Sequence, residues 1–265
     1  MVMDLGLEGK VALVAGASKG LGRAVALGLA REGASLALCA RGDELLSAAA
    51  TAIAEETGAT VWTRPTDVSS PEESRLFVQE AVSHYGTIHI LVNNAGGPPS
   101  ATFLELTDDL WQQAVQLNLL SAIWLAREAV PHMQRGRWGR IINMTSVAVK
   151  QPIEGLMLSN AVRAGVVGFA KTLANELAAD NILVNNVCPG YILTDRVREL
   201  SKVLAEKKNE SPASIIRMWE ESIPLRRLGE AEEFAHLVVF LASERASYIT
   251  GNSIQIDGGY YRGLL

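Results

Sequence analysis

Sulfur is scarce in this sequence. Two cysteines, Cys39 and Cys188, stand among 265 residues, so a disulfide framework is excluded by count and a thiolate metal centre would need more ligands. Both lie in apolar runs, which implies reduced, buried thiols. The four histidines, His84, His89, His132 and His236, show no ligand spacing. Basic residues are outnumbered by acidic ones, 24 to 29, for a net charge of −5. That balance argues against the clustered basic face that nucleic acid requires, while leaving room for a local pocket that holds one phosphate. No uncharged apolar run approaches the ~18–20 residues of a membrane span. The opening MVMDLGLEGK lacks the basic-then-apolar order of a secretion signal. A cytoplasmic chain with neither a nucleic-acid nor a membrane partner is expected. Proline-rich linkers, repeats and low-complexity tracts are missing too.

What is present is a 48% hydrophobic, 20% charged composition, enough for a sizeable core. Short β-type apolar runs at 11–15, 35–40, 61–64, 88–93, 140–144, 182–187 and 253–257 alternate with helical stretches. The helices are expected at 21–31, 44–56, 71–85, 107–134, 156–179 and 232–241. Strands separated by helices imply parallel pairing with right-handed crossovers, and strands apolar throughout imply a sheet covered on both faces. Residues 195–221 are charged and helical, in two pieces, and read as an excursion from the sheet. The expectation is one α/β domain over 1–265, a doubly wound parallel sheet of about seven strands.

After the first strand comes Gly16-Ala17-Ser18-Lys19-Gly20-Leu21-Gly22. Small residues on a strand-to-helix turn let the backbone approach a pyrophosphate, and the helix start supplies free N–H groups and a positive dipole end. A tight turn with no ligand would also need glycine, but its place on the first βα turn of an alternating chain favours a dinucleotide on a Rossmann-type sheet. The residue after the second strand separates the two nicotinamide cofactors. An acid there would hold the ribose hydroxyls of NAD, whereas a cation would suit a 2′-phosphate. Here Ala40 is followed by Arg41, and Lys19 lies in the glycine turn. Two cations and no carboxylate point to NADP(H).

Over nearly its full length the chain resembles the short-chain dehydrogenase/reductase family, in particular its 3-oxoacyl-carrier-protein reductases. Asn93-Asn94-Ala95-Gly96 resembles the family's NNAG. Asp67-Val68 is similar to its adenine-contacting pair. Trp111 and Asn118 resemble its W…N helix, in which the Asn is catalytic, and Ser146 matches the catalytic Ser. Pro189-Gly190-Tyr191-Ile192-Leu193-Thr194 resembles its nicotinamide loop, and Gly251 with Asp257-Gly258-Gly259 its closing motif. The resemblance implies that Gly16, Ser18, Lys19, Gly20, Leu21, Gly22, Arg41, Asp67, Val68, Asn94, Ala95, Gly96, Arg163, Pro189, Gly190, Ile192 and Thr194 bind the cofactor. It implies, further, a homodimer or homotetramer paired through the helices at 107–134 and 156–179.

One departure stands out. Thirteen residues after its Ser the family carries Tyr-x-x-x-Lys, the acid–base pair. Here the positions read Ser159-Asn160-Ala161-Val162-Arg163. A serine hydroxyl is a far weaker acid than a phenol of pKa ~10, and arginine stays protonated, so it relays no proton. It can still hold ribose hydroxyls, and residues four apart share a helix face. The expected catalytic set is Asn118, Ser146, Ser159 and Arg163, acting on a small carbonyl or secondary alcohol. Candidates for the missing acid are a water held by Ser146 and Ser159, Tyr191, Lys150 and Glu154. Solvated loop charge is the plainer reading of the last two, and packing that of Tyr191. Two other functions fit the residues: a catalytically weak or silent dinucleotide-binding sensor or partner subunit, and a lyase or isomerase using the same pocket.

Overall fold

Val-Ala-Leu-Val-Ala is apolar at every position, and all five residues of the strand it forms, β1 (Val11–Ala15), are buried. Its side chains alternate between two cores. Ala12 and Val14 face one cluster, and Val11, Leu13 and Ala15 the other. The computed structural model describes residues 4–264 and adds six strands to this one. They are β2 (Ser35–Ala40), β3 (Val61–Pro65), β4 (Ile90–Asn93), β5 (Gly139–Met144), β6 (Ile182–Pro189) and β7 (Ser253–Ile256). All pairings are parallel, in the order β3-β2-β1-β4-β5-β6-β7. The chain runs outward from β1 to β3, then returns to β4 on the other side of β1. The carboxyl ends of β1 and β4 therefore form the switch point where sheets of this kind hold ligands.

Helices cover both faces. On one side α1 (Gly20–Arg31), α2 (Asp43–Thr57) and the last α-helix, residues 231–242, pack on the sheet through Val25, Leu29, Leu46, Phe234 and Val238. On the other, α3 (Pro71–Tyr85) contributes Phe77 and Val78. Ser70 caps α3 by accepting from the Glu73 N–H at 3.3 Å, and proline follows it at the first helical position.

The helix expected over 107–134 is three pieces. It begins as α4 (Asp108–Val115), widens into a π turn at Gln116–Leu120 and continues as α5 (Ser121–Gly136). The next helix, α6 (Met157–Leu177), ends in a 3₁₀ turn. The fourth strand starts at Ile90, two residues later than expected. His89, just ahead of it, instead ties down the start of β1, its Nδ1 accepting the Val11 N–H at 2.9 Å. The charged excursion consists of α7 (Asp195–Lys208) and α8 (Pro212–Ser222). It carries a small core of its own, Ala205, Ile215, Trp219 and Leu228, before α9 (Ala231–Ala242) returns to the sheet. No helix among the described residues is long and apolar enough to cross a membrane.

Candidate active site

The glycine turn is built for close approach. Gly16 and Gly20 take left-handed backbone, with φ of 61° and 58°. Gly22 is required for a different reason: a Cβ there would stand 2.3 Å from the Gly16 carbonyl oxygen. Lys19 caps α1 without a side-chain hydrogen bond, and the first turn carries no acid. The leading N–H groups of α1 and its positive dipole end thus suit an anion. Lys19 and Arg41 are exposed, and neither pairs with a carboxylate among the described residues. Arg41 acts on Asp67. Burial alone would raise that carboxyl, but hydrogen bonds from the Ser69 hydroxyl and N–H, helped by the charge of Arg41, hold it below its ordinary value. Positions 41 and 67 therefore share one corner of the sheet's carboxyl edge, beside the buried Val68.

From there a chain of amides leads inward. Asn94 Nδ2 donates to the carbonyls of Ala15 and Gly16 at 3.1 and 3.2 Å, tying β4 to the glycine turn. Gly96, after Ala95, accepts from Asn118 Nδ2 at 2.8 Å. Asn118 sits within the π turn, a distortion that often marks functional positions. A second line of amides crosses four adjacent strands in register. Asn93 donates to Asn143 at 2.8 Å, Asn143 to Asn186 at 3.0 Å, and Asn186 to the Ser253 hydroxyl at 3.0 Å. The side-chain oxygens of Asn93 and Asn118 are buried acceptors with no protein donor. Both residues, with Arg163, border a cavity of about 20 Å³, a size that holds one water.

Ser146 follows β5 in extended backbone, and its Oγ accepts the Ala148 N–H at 3.1 Å. Ser159 is buried in the first turn of α6. Arg163, one turn on, donates from Nη1 to the carbonyls of Met144 and Thr145 at 2.9 and 3.1 Å, at the end of β5. Burial, with a contribution from Arg196, pushes its pKa down to about 10, so the guanidinium keeps its charge at neutral pH. The loop Pro189 to Thr194 closes the site. Gly190 lies so near Asp257 that a Cβ would meet that residue's Cβ at 2.7 Å. The Ile192 segment is bridged to Gly229, and Thr194 caps α7 by accepting the Val197 N–H.

Tyr191 is committed elsewhere. Its ring stacks on Trp219 at 4.7 Å and meets Tyr260 edge-on at 5.3 Å. Burial first, then Tyr260, raise its phenol well above the ordinary value, which makes it a poor acid. Glu154 is exposed, whereas Lys150 is only partly so. The fold thus places Asn118 and Arg163 on one cavity, with Ser146 just after β5 and Ser159 one helical turn before Arg163, and sets the glycine turn, Arg41, Asp67 and the 189–194 loop along the same sheet edge. Sequence reasoning missed Asn143, Asn186 and Ser253. Their signal was a polar residue in each of two buried strands, but nothing local tells which amides meet. Arg196, which donates from Nη2 to the Pro98 carbonyl at 3.2 Å, went unnoticed as well.

A parallel sheet with a glycine turn at its switch point, a serine at the end of β5 and an asparagine in a widened helix defines a nicotinamide-dinucleotide oxidoreductase. Residues 16–261 match the family described as enoyl-(acyl carrier protein) reductase. The chain is 39% identical over 260 residues to the 3-oxoacyl-(acyl-carrier-protein) reductase of Pseudomonas aeruginosa, covering 97% of this chain and 99% of that one. It is 36% identical over 259 residues to the Aquifex aeolicus protein of the same name, covering 98% and 100%. Among solved structures, L-sorbose reductase from Gluconobacter frateurii, complexed with NADPH and L-sorbose, superposes with a TM-score of 0.95 at 38% identity, over 99% and 100% of the two chains. The chain belongs to the short-chain dehydrogenase/reductase family, and it is similar to that family's 3-oxoacyl-carrier-protein reductases.

Proposed function

We propose that this protein is an NADP(H)-dependent oxidoreductase that moves hydride between the nicotinamide and a carbonyl or secondary alcohol. The observation that carries the reading is the uncapped, acid-free start of α1 behind a glycine turn that leaves no room for a Cβ at Gly16 or Gly22, with Lys19 and Arg41 in no ion pair within 4.0 Å among the described residues. Similarity to a reductase solved with NADPH supports it. When bound, the nicotinamide supplies the hydride. The chain's own part is to bind and polarise. Gly16, Ser18, Gly20, Leu21 and Gly22 would cradle the pyrophosphate, Asp67 and Val68 with Asn94, Ala95 and Gly96 the adenosine side, and Pro189, Gly190, Ile192 and Thr194 the nicotinamide.

Ser159 and Arg163 take the places of the family's Tyr and Lys. Ser146 and Ser159 hydrogen-bond the substrate oxygen, and a water held between them brings the proton. Arg163, anchored on the Met144 and Thr145 carbonyls, keeps further donors for ribose hydroxyls. Loss of a phenolic acid lowers the rate by roughly 10²–10⁴-fold without changing the kind of reaction. One domain acting in the cytoplasm as a homodimer or homotetramer, paired through α4, α5 and α6, completes the proposal; sedimentation tests the assembly. Titration with NADPH and NADH tests the core of it. NADPH is expected to bind at least about tenfold tighter, and Lys19→Ala with Arg41→Ala to erase the gap. Tighter NADH binding, or no cofactor oxidation above background with any small ketone, would refute it.

A further inference from the structure

The last turn of the chain is fastened to the 189–194 loop. That loop leaves β6 beside the segment that carries Ser146. Thr145 donates its N–H to the Val187 carbonyl at 2.8 Å, and its hydroxyl lies 3.2 Å from the Cys188 thiol. The loop ends against the glycine turn, where Thr194 Cγ2 stands 3.8 Å from the place of a Cβ on Gly20. Between these ends its neighbours set its shape. Gly190 donates its N–H to the Ile256 carbonyl at 3.0 Å, and Gly229 pairs with the Tyr191 carbonyl at 3.0 Å and the Leu193 N–H at 2.8 Å. The Tyr191 ring packs against two others, stacked on Trp219 of α8 and edge-on to Tyr260 at 5.3 Å. Tyr260 is itself held by a firm turn. Buried Asp257 accepts the Gly259 and Tyr261 N–H groups at 2.9 Å each, and its carbonyl accepts the Tyr260 N–H at 3.2 Å. Gly258, at φ 65°, presses so close to the end of α8 that a Cβ would meet Ile223 Cγ2 at 2.7 Å.

A loop that must be ordered when a ligand arrives costs affinity, and one already held in shape does not. We propose that Tyr260 is a positioning residue: acting through the Tyr191 ring, it holds the 189–194 loop in the shape that receives the nicotinamide half of the cofactor. The inference rests on the oxidoreductase reading, and its test separates the two. The full chain and its variants are titrated calorimetrically with NADPH and with adenosine 2′,5′-bisphosphate, which keeps the 2′-phosphate but lacks the nicotinamide half. Tyr260→Leu should weaken NADPH about three- to tenfold, the worth of one edge-on aromatic pair. The bisphosphate, bound away from the loop, should change by less than about twofold. Tyr260→Phe keeps the ring and should restore NADPH affinity, and Tyr260→Ala serves as a second disruptive variant. Because Tyr260 acts through Tyr191, adding Tyr260→Leu to Tyr191→Leu should weaken NADPH no further. Equal NADPH affinity in wild type and Tyr260→Leu overturns the proposal alone. So does an equal loss for both ligands, which marks general damage, or an additive double variant. A wild type that binds no NADPH defeats the oxidoreductase reading, and this inference falls with it.

Discussion

Replacing Asn143 by leucine removes the centre of the amide line across the sheet. Asn143 is 1% exposed and Asn186 2%, so bulk water does not reach either. Leucine has a similar size, so the cost comes mainly from hydrogen bonding. Two buried groups are orphaned, the Asn93 Nδ2 donor and the Asn186 Oδ1 acceptor, each worth about 1–3 kcal/mol. The loss should be about 4 kcal/mol, or about 8–16 °C in Tm at the sensitivity of a chain this large. Urea unfolding at fixed protein concentration measures it. Asn186→Leu alone orphans the Asn143 donor and deprives the Ser253 hydroxyl of its donor. The double variant leaves only the two outer groups unpaired, so it should cost about as much as either single one, far less than additivity requires. A loss below about 1 kcal/mol for Asn143→Leu, or an additive double variant, would refute the reasoning.

Gly22→Ala drives a Cβ towards the Gly16 carbonyl at 2.3 Å; NADPH affinity, read by fluorescence titration, should fall by about 10²-fold as the turn opens. Ser159→Tyr combined with Arg163→Lys should raise kcat with a small ketone by about 10²–10⁴-fold, and an unchanged kcat would show a site remodelled beyond the family's chemistry. His89 is held below its ordinary 6.5 by burial first and then by Lys10. It is therefore neutral when folded, and between the lowered value and 6.5 the unfolded chain binds more protons. The stability it contributes is complete above about pH 6.5 and is lost as pH falls through the folded value. Tm should drop across that window, and His89→Gln should flatten the profile.

Much of this molecule could be read locally. The βα alternation is written in short apolar runs, and the glycine turn, Arg41 and the 189–194 loop are contiguous motifs whose chemistry travels with their order. The strands fell within two residues of expectation because burial on both faces leaves little choice of side chain. What escaped reading depends on register between distant segments. Asn93, Asn143 and Asn186 meet only because β4, β5 and β6 pair where they do. The reach of Arg196 to Pro98 spans 98 positions. The π turn escaped for another reason: a helix with one wider turn has the composition of an ordinary one.

That wider turn has a consequence for how the rod on either side of it is used. Each residue of an α-helix advances about 100° around the axis, so one extra residue shifts the phase by about a quarter revolution. Ahead of it, Leu110, Trp111 and Ala114 meet Leu158 and Val162 of α6. Behind it, Leu125, Ala126, Ala129 and Met133 turn onto the sheet. Deleting a single amino acid between 116 and 120 would realign the two stripes, forcing one of them to abandon its neighbour, although every side chain that makes those contacts would still be present.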